Sequence, residues 1–456
     1  MSLPANYTSP SEYFSDALTF LNKYQWIYRG PNNDIIVEKT LKNIPYEWCQ
    51  YFKKSTLDRL KSFVNKETDL DIPKSLADFL HEVQSLTPTY EYNVEKLEFK
   101  FAHNCCLSSK KSHEILSLAP LVDTICKQNE INDIIDIGCG LGYLSHLLND
   151  KYKYNVLGID CSLKYIELAY KNQEKLHLNS KESVNFEAHF INEDSKNEIE
   201  KLIEKNFHKN EVKNNKICLV GLHACADLSI TILDLFSKLD AVSSLVIMPC
   251  CYHRIKVKRE TEVADFFENF PSSAVLKDLF SDAQAQVFIR RPFLRLACQQ
   301  TANSFINMDK RELDIQSRNC FFRALLQAVA TEEKCTVQRL KRKSGNTKTS
   351  GCIDEEFSMY VDNLGNNHKL AYKDRNLTLS EAGFREKMFE KWLEHKEDYD
   401  LVSILAGLQA AMQSLCENLL LLDRVEFLKE RGYKSHVERV TNDCISPRCY
   451  ALIAEK

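Results

Sequence analysis

A doubly wound α/β domain, preceded by helices and interrupted by a mostly helical insert, is the fold class this sequence predicts. Three observations carry the prediction. Between residues 133 and 256 short apolar runs alternate with helical patterns, the mark of parallel strands joined by crossover helices. The first run, "DIIDIGCGLGYLS", closes on Gly138, Gly140 and Gly142. After residue 400 the chain supplies one long apolar helix and two strand-like runs, the pieces that such a sheet still lacks at residue 256.

Residues 1–98 alternate apolar and charged side chains at helical spacing, as in "SEYFSDALTFLNKY" and "DIPKSLADFLHEVQSL". They predict a helical N-terminal domain, with Ser11 capping its first helix. Residues 99–256 hold the first part of the core. Its strands are expected at "NDIIDIGCG", "YNVLGID", "VNFEAHFI", "KICLVGLHA" and "SSLVIMPCC". Residues 257–400 read as a helical insert containing a basic linker, Arg339, Lys341, Arg342, Lys343 and Lys348, suited to a phosphate backbone or to a solvated loop. Residues 401–456 complete the core with a helix and a terminal hairpin turning near Ser446-Pro447. The segment "LVSILAGLQAAMQSLCENLLLL" is about long enough to cross a bilayer. Gln409, Gln413, Glu417 and Asn418 would put a polar stripe in lipid, so a buried amphipathic helix and no membrane partner are expected.

Composition narrows the function classes. Of 456 residues 44% are hydrophobic and 27% charged, and the net charge is −4. The chain has globular composition and no global nucleic-acid signature, so polyanion binding would need a local patch. Seventeen cysteines, irregularly spaced, form no disulfide framework. The start, "MSLPANYTSPSEYFSDAL", has no signal-peptide pattern. Reduced thiols in the cytoplasm or nucleus are the expectation.

The glycine loop carries the chemistry. Three of the chain's 12 glycines fall within five residues, between a strand and a helix. Glycine permits the tight turn, and the helix that follows aims free N–H groups and its positive dipole end at a ligand. Asp160 ends the second strand, where an acid can accept both ribose hydroxyls. NAD and S-adenosylmethionine both suit such a loop. Asp136, two residues before Gly138, decides for S-adenosylmethionine, because D-x-G-x-G-x-G spaces its glycines unlike G-x-G-x-x-G and puts Tyr143 in place of the third glycine. Tyr143, Leu144 and Cys161 complete the candidate cofactor set.

Ligands in such a sheet sit beyond the carboxyl ends of the strands. His223, Cys225 and Asp227 follow the fourth strand, and Cys250, Cys251, Tyr252, His253 and Arg254 follow the fifth. Zinc is conceivable there, but adjacent cysteines are awkward ligands and no C-x₂-C or H-x₃-H spacing supports it, so no metal is expected. A thiolate nucleophile or plain packing of Cys250 and Cys251 are the other readings. Tyr252, His253 and Arg254 would hold an acceptor base or phosphate, with His223 or His253 taking the proton that the acceptor loses. The catalytic candidates are therefore His223, Tyr252 and His253. Cys250, Cys251 and Arg254 are substrate-binding candidates, with Lys110, Lys111 and His113 from "SSKKSHEI" at a helix start capped by Ser108 or Ser109. Asp227 would cap the next helix or orient His223, and Arg448 would reach the pocket mouth.

"SSKKSHEI", "DIGCGLGYLS", "VGLHACADLS" and "MPCCYHRI", with "LLLLDRVEFLKERG" and "ISPRCYALIA", occur in that order. Together they resemble the methyltransferase-like protein 25 family, which includes the ribosomal RNA adenine dimethylase domain-containing protein. The pair "LHACADL" and "PCCYHR" is also similar to its counterpart in eukaryotic tRNA ribose-2′-O-methyltransferases with zinc-finger N-termini, fingers that this chain lacks. The resemblance implies a class I methyltransferase with a Rossmann-like seven-stranded sheet, its last strand antiparallel and its insert between strands five and six. It implies S-adenosylmethionine-dependent methylation, with RNA as the expected acceptor. A protein acceptor and a non-catalytic cofactor-binding scaffold are the alternatives. The N/D-P-P-Y/F motif of adenine N6 enzymes is absent, since Pro249 is followed by Cys250-Cys251-Tyr252.

Overall fold

The five apolar runs form five parallel strands in a computed structural model that describes residues 3–53, 56–92, 107–207, 216–340, 351–372, 375–377 and 383–456. They are β1 (Asp133–Ile137), β2 (Asn155–Asp160), β3 (Val184–Ala188), β4 (Ile217–Cys225) and β5 (Val242–Cys250). The terminal hairpin adds β6 (Lys434–Arg439) and β7 (Tyr450–Glu455). The seven strands stand in the order β6-β7-β5-β4-β1-β2-β3. β7 runs antiparallel to both neighbours, and the pairs among β1 to β5 are parallel. This is the class I methyltransferase sheet that the motifs imply.

Alternation of side chains across the strands divides the core into two layers. Ile135, Leu157, Leu219 and Ile247 pack with Leu233, Phe236 and Leu421 on one face. Ile134, Val156, Val220 and Val246 pack with Leu118, Val122 and Leu147 on the other. A sheet covered on both faces buries its strands throughout, and β1 is buried at every residue, Asp133 and Asp136 included. The chain steps from β1 out to β2 and β3, then returns to place β4 on the other side of β1. The reversal opens a crevice above the carboxyl ends of β1 and β4, the usual ligand position in such sheets.

The compact units do not follow the expected domain boundaries. One comprises residues 1–23, 82–304 and 413–456, and the other residues 24–81 and 305–412. The N-terminal helices and the insert are therefore not two separate bodies. Residues 24–81 share a unit with the later part of the insert, and helical periodicity alone cannot say which amphipathic faces meet. Within that second unit, Phe63 stacks on Phe79 at 6.0 Å and Phe357 on Trp392 at 4.7 Å. It also holds a small antiparallel sheet, Thr336–Arg339, His368–Tyr372 and Arg375–Leu377, in a region expected to be mostly helical. Arg339 ends its first strand, while Lys341, Arg342, Lys343 and Lys348 lie outside the described residues. The first helix, Pro10–Lys23, receives its cap from Ser9, whose Oγ accepts the Glu12 N–H at 3.4 Å. Ser11 already lies inside the first turn, behind a proline suited to the first helical position.

The helix Leu401–Lys429 is long and apolar enough to cross a membrane, yet 89% of its most apolar window is buried inside the protein. Its polar residues are satisfied internally. The Gln413 amide donates to the Ala297 carbonyl at 3.0 Å and to Glu417 at 2.9 Å, and Tyr90 donates to Asn418 at 2.8 Å.

Candidate active site

Asp136 lies at the floor of the loop, fully buried on β1, and accepts the Ser145 hydroxyl at 2.6 Å. Burial pushes its carboxyl up to about 6; the Ser145 bond opposes the shift and the nearby Asp160 charge adds to it. Above it Gly138, Gly140 and Gly142 have φ of 76°, 56° and 76°, the left-handed region where a side chain is strained. Two of the glycines serve different ends. A Cβ on Gly142 would sit 2.6 Å from Phe186 Cζ, so bare backbone is needed there for packing. A Cβ on Gly140 would meet nothing within 4 Å, so the protein leaves the space over the loop clear. The helix Tyr143–Tyr152 starts directly behind the loop.

Asp160 closes this half. Its carboxylate accepts the Gly140 N–H at 3.1 Å and the Ser162 N–H at 2.9 Å. Each oxygen keeps a second lone pair, enough for a ribose diol. Cys161 beside it is exposed. Leu163 and Phe190, which follow β2 and β3, are 62% and 68% exposed; large apolar side chains so placed suit the flat face of an adenine ring, and a search for charged or glycine motifs passes over them. Leu144 requires a correction, because its side chain is buried in the core among Leu147 and Val156. One residue into the helix, the 3.6-residue period has already turned it inward. Tyr143 is only partly buried, packed against the same core. A clear space lined by backbone, with a carboxylate at the ribose position, fits S-adenosylmethionine.

The acceptor half is assembled from distant segments. Glu114, in the helix Ser109–Gln128, is buried. Its Oε2 stands 3.3 Å from His223 Nε2, while its Oε1 accepts the Ser446 hydroxyl at 2.5 Å and faces the Arg448 guanidinium at 3.5 Å. Burial alone would raise the Glu114 carboxyl, but the neighbouring His223 ring, the Ser446 hydrogen bond and the Arg448 charge outweigh it and hold the group near 2. His223 Nδ1 is buried without a hydrogen-bond partner among the described residues. Sequence reasoning passed over Glu114, although it lies inside the quoted "SSKKSHEI", because helical spacing cannot say which residue of a charged run turns inward.

Cys225 and Cys250 are register partners on β4 and β5, with Sγ atoms 3.0 Å apart. Cys251 follows in a left-handed conformation, φ 54°. The Arg448 guanidinium lies beside the Cys250 and Cys251 sulfurs, and its charge acts on both. The neighbouring Cys250 sulfur and Arg448 drive the Cys251 thiol down, and the crowding of the three sulfurs drives Cys250 up.

Tyr252 is no acceptor-facing residue. It is completely buried, donates to Glu417 at 3.3 Å, and has Arg424 over its ring at 5.0 Å. The left-handed turn at Cys251 reverses the strand's alternation and carries the phenol into the core. Burial pushes Glu417 up to about 8, against the hydrogen bonds from Gln413 and Tyr252. His253 is partly buried, its Nδ1 3.1 Å from Cys298 Sγ, and burial followed by the Arg295 charge lowers its pKa, which keeps the ring neutral. Arg254 is exposed. Asp227 neither caps its helix nor touches His223; it accepts the Lys256 N–H at 3.0 Å and the Asn269 amide at 2.8 Å, pinning the chain beyond β5. Ser108 does cap its helix, accepting the Lys111 N–H at 3.3 Å. His113 is engaged structurally, since its Nε2 accepts the Asn442 N–H at 3.0 Å. Lys110 is half-buried, its pKa lowered by burial and then by Arg448, whereas Lys111 is exposed.

Residues 110–258 match a protein-family model described as a methyltransferase domain. "Probable methyltransferase-like protein 25" of Homo sapiens is 22% identical over 479 aligned residues, covering 77% of this chain and 75% of that protein. The Mus musculus protein of the same name is 38% identical over 84 residues, 18% of this chain and 13% of its own length. M. capricolum TrmK, solved with S-adenosylhomocysteine, is 21% identical, covering 32% of this chain and 60% of that one at a TM-score of 0.21. The resemblance read from the motifs is thus found again over three quarters of the chain. With the sheet order and the glycine loop, it makes this chain an S-adenosylmethionine-dependent methyltransferase that carries a class I methyltransferase domain and resembles methyltransferase-like protein 25.

Proposed function

We propose that the acceptor is RNA, and that His223, held by Glu114, removes the acceptor's proton. When bound, the cofactor supplies an electrophilic methyl group on a sulfonium, so the protein's tasks are alignment and acceptor protonation. Asp160 and the loop hold the cofactor. The His223 ring stands 3.3 Å from the Glu114 carboxylate, and Glu114 stabilises the imidazolium that forms. His253, kept neutral among cations, lines the acceptor path.

The observation that carries the RNA reading is the local concentration of positive charge. Arg295, Arg254 and Arg291 all act on His253, and Arg448 acts on Lys110. A chain of net charge −4 that gathers cations beside its acceptor end is suited to a phosphate backbone there. The likeness of "LHACADL" and "PCCYHR" to the tRNA enzymes points the same way. The described cysteines are all free thiols, in keeping with a cytoplasmic or nuclear setting.

The test is transfer of radiolabelled methyl from S-adenosylmethionine to fractionated cell extract. Label that is lost to ribonuclease is expected. Label that survives ribonuclease and is lost to protease would replace RNA with a protein acceptor.

A further inference from the structure

We propose that Cys225, Cys250 and Cys251 form a zinc site at the acceptor end of the sheet. The ligand atoms of these three residues lie within 4.8 Å of one another. Adjacent cysteines in an extended strand point to opposite faces, which is the objection that sequence raises against a shared ion. The left-handed backbone at Cys251 removes it by turning the second thiol back toward the first. Such a conformation is strained for a non-glycine residue and persists where the surroundings require it.

The geometry is close to what zinc needs. Tetrahedral thiolates at about 2.3 Å from the metal stand roughly 3.8 Å apart, so the 3.0 Å between Cys225 and Cys250 Sγ has to open by less than an ångström. A cation stands ready as well. Three thiolates and Zn²⁺ leave one negative charge, and the Arg448 guanidinium, whose charge acts on the Cys250 and Cys251 thiols, faces it. Glu114 holds Arg448 from its other side at 3.5 Å, the kind of outer contact that orients metal ligands. Three protein ligands leave the fourth position to a water or an acceptor atom, as in catalytic rather than structural zinc sites. The site goes beyond the RNA proposal and does not depend on it.

The experiment uses the full chain, purified under reducing conditions without chelator, with zinc measured by mass spectrometry and Co²⁺ exchanged in as a spectroscopic probe. Stoichiometric zinc and sulfur-to-cobalt charge-transfer absorption are expected. Both should be lost in Cys251→Ser and in Cys225→Ser, while Cys352→Ser retains them. S-adenosylhomocysteine binding by the variants separates local metal loss from misfolding. If a variant fails to fold, the cobalt spectrum of the parent chain decides. Absence of zinc after titration with Zn²⁺, a cobalt spectrum without thiolate bands, or zinc retained by folded Cys225→Ser and Cys251→Ser would overturn the proposal. So would a Cys225–Cys250 disulfide in chain freshly isolated under thiol-trapping conditions.

Discussion

The two ends of the crevice are built by different means. The cofactor end comes chiefly from one short stretch, residues 133–162, and works through backbone: three glycines at positive φ, a helix start, and one carboxylate that accepts two backbone N–H groups. The acceptor end works through side chains drawn from far apart, Glu114, His223, Cys250, Cys251 and Arg448. A backbone site tolerates varied side chains around it but not a Cβ in the wrong place. A side-chain site has the opposite sensitivity: each member can be replaced without moving the chain, and each replacement removes a specific chemical task.

That contrast predicts separable damage. The largest effect belongs to His223→Ala, which should lower kcat by about 10²–10⁴-fold and leave the affinity for S-adenosylhomocysteine unchanged; single-turnover kinetics beside calorimetry would show it. Glu114→Gln should reproduce part of that loss and shift the pH–rate profile, since it acts through His223. An equal loss of cofactor affinity in either variant would blur the two ends into one.

Next in size is a pH effect from the polar cluster under the acceptor end. The Glu417 carboxyl titrates near 8 when folded, against 4.5 ordinarily. Between those pH values the folded chain keeps a proton that the unfolded chain has released, so stability falls as pH rises through this window. Glu417→Gln should flatten that fall by a few kcal/mol, read as the change in urea midpoint between acidic and alkaline buffer. Gly142→Ala should cost about 1–3 kcal/mol of stability, because its Cβ would stand 2.6 Å from Phe186 at a φ of 76°; thermal unfolding measures it. The smallest effect is Arg295→Glu, which should raise the KM for the proposed RNA acceptor by several-fold at low salt and less at high salt, as expected of screened charges.

The same contrast explains what the sequence discloses. Strand runs, glycine loop and terminal hairpin are local patterns, and all five predicted strands and both late ones form where the patterns place them. Asp136 and Asp160 are legible because they sit at fixed offsets from glycines. Tyr252 departs from its expected place because one left-handed residue, Cys251, changes which face the next side chain takes, and nothing in "PCCYHR" announces a positive φ. Glu114 and Arg448 are 334 residues apart in sequence yet 3.5 Å apart in space, and pairing of that kind is a product of the fold. The grouping of residues 24–81 with 305–412 was hidden for the same reason.

The central claim is that the 138–142 loop binds the cofactor, and calorimetric titration with S-adenosylhomocysteine of the chain and of Gly140→Arg tests it most directly. The space beside Gly140 is clear of protein within 4 Å, so the arginine meets no clash, only the backbone strain of a φ of 56°, while filling the cofactor's place. Saturable one-site binding by the parent chain and none by a folded Gly140→Arg is the predicted result. Absence of binding by the parent, or a variant that titrates like it, would contradict the account.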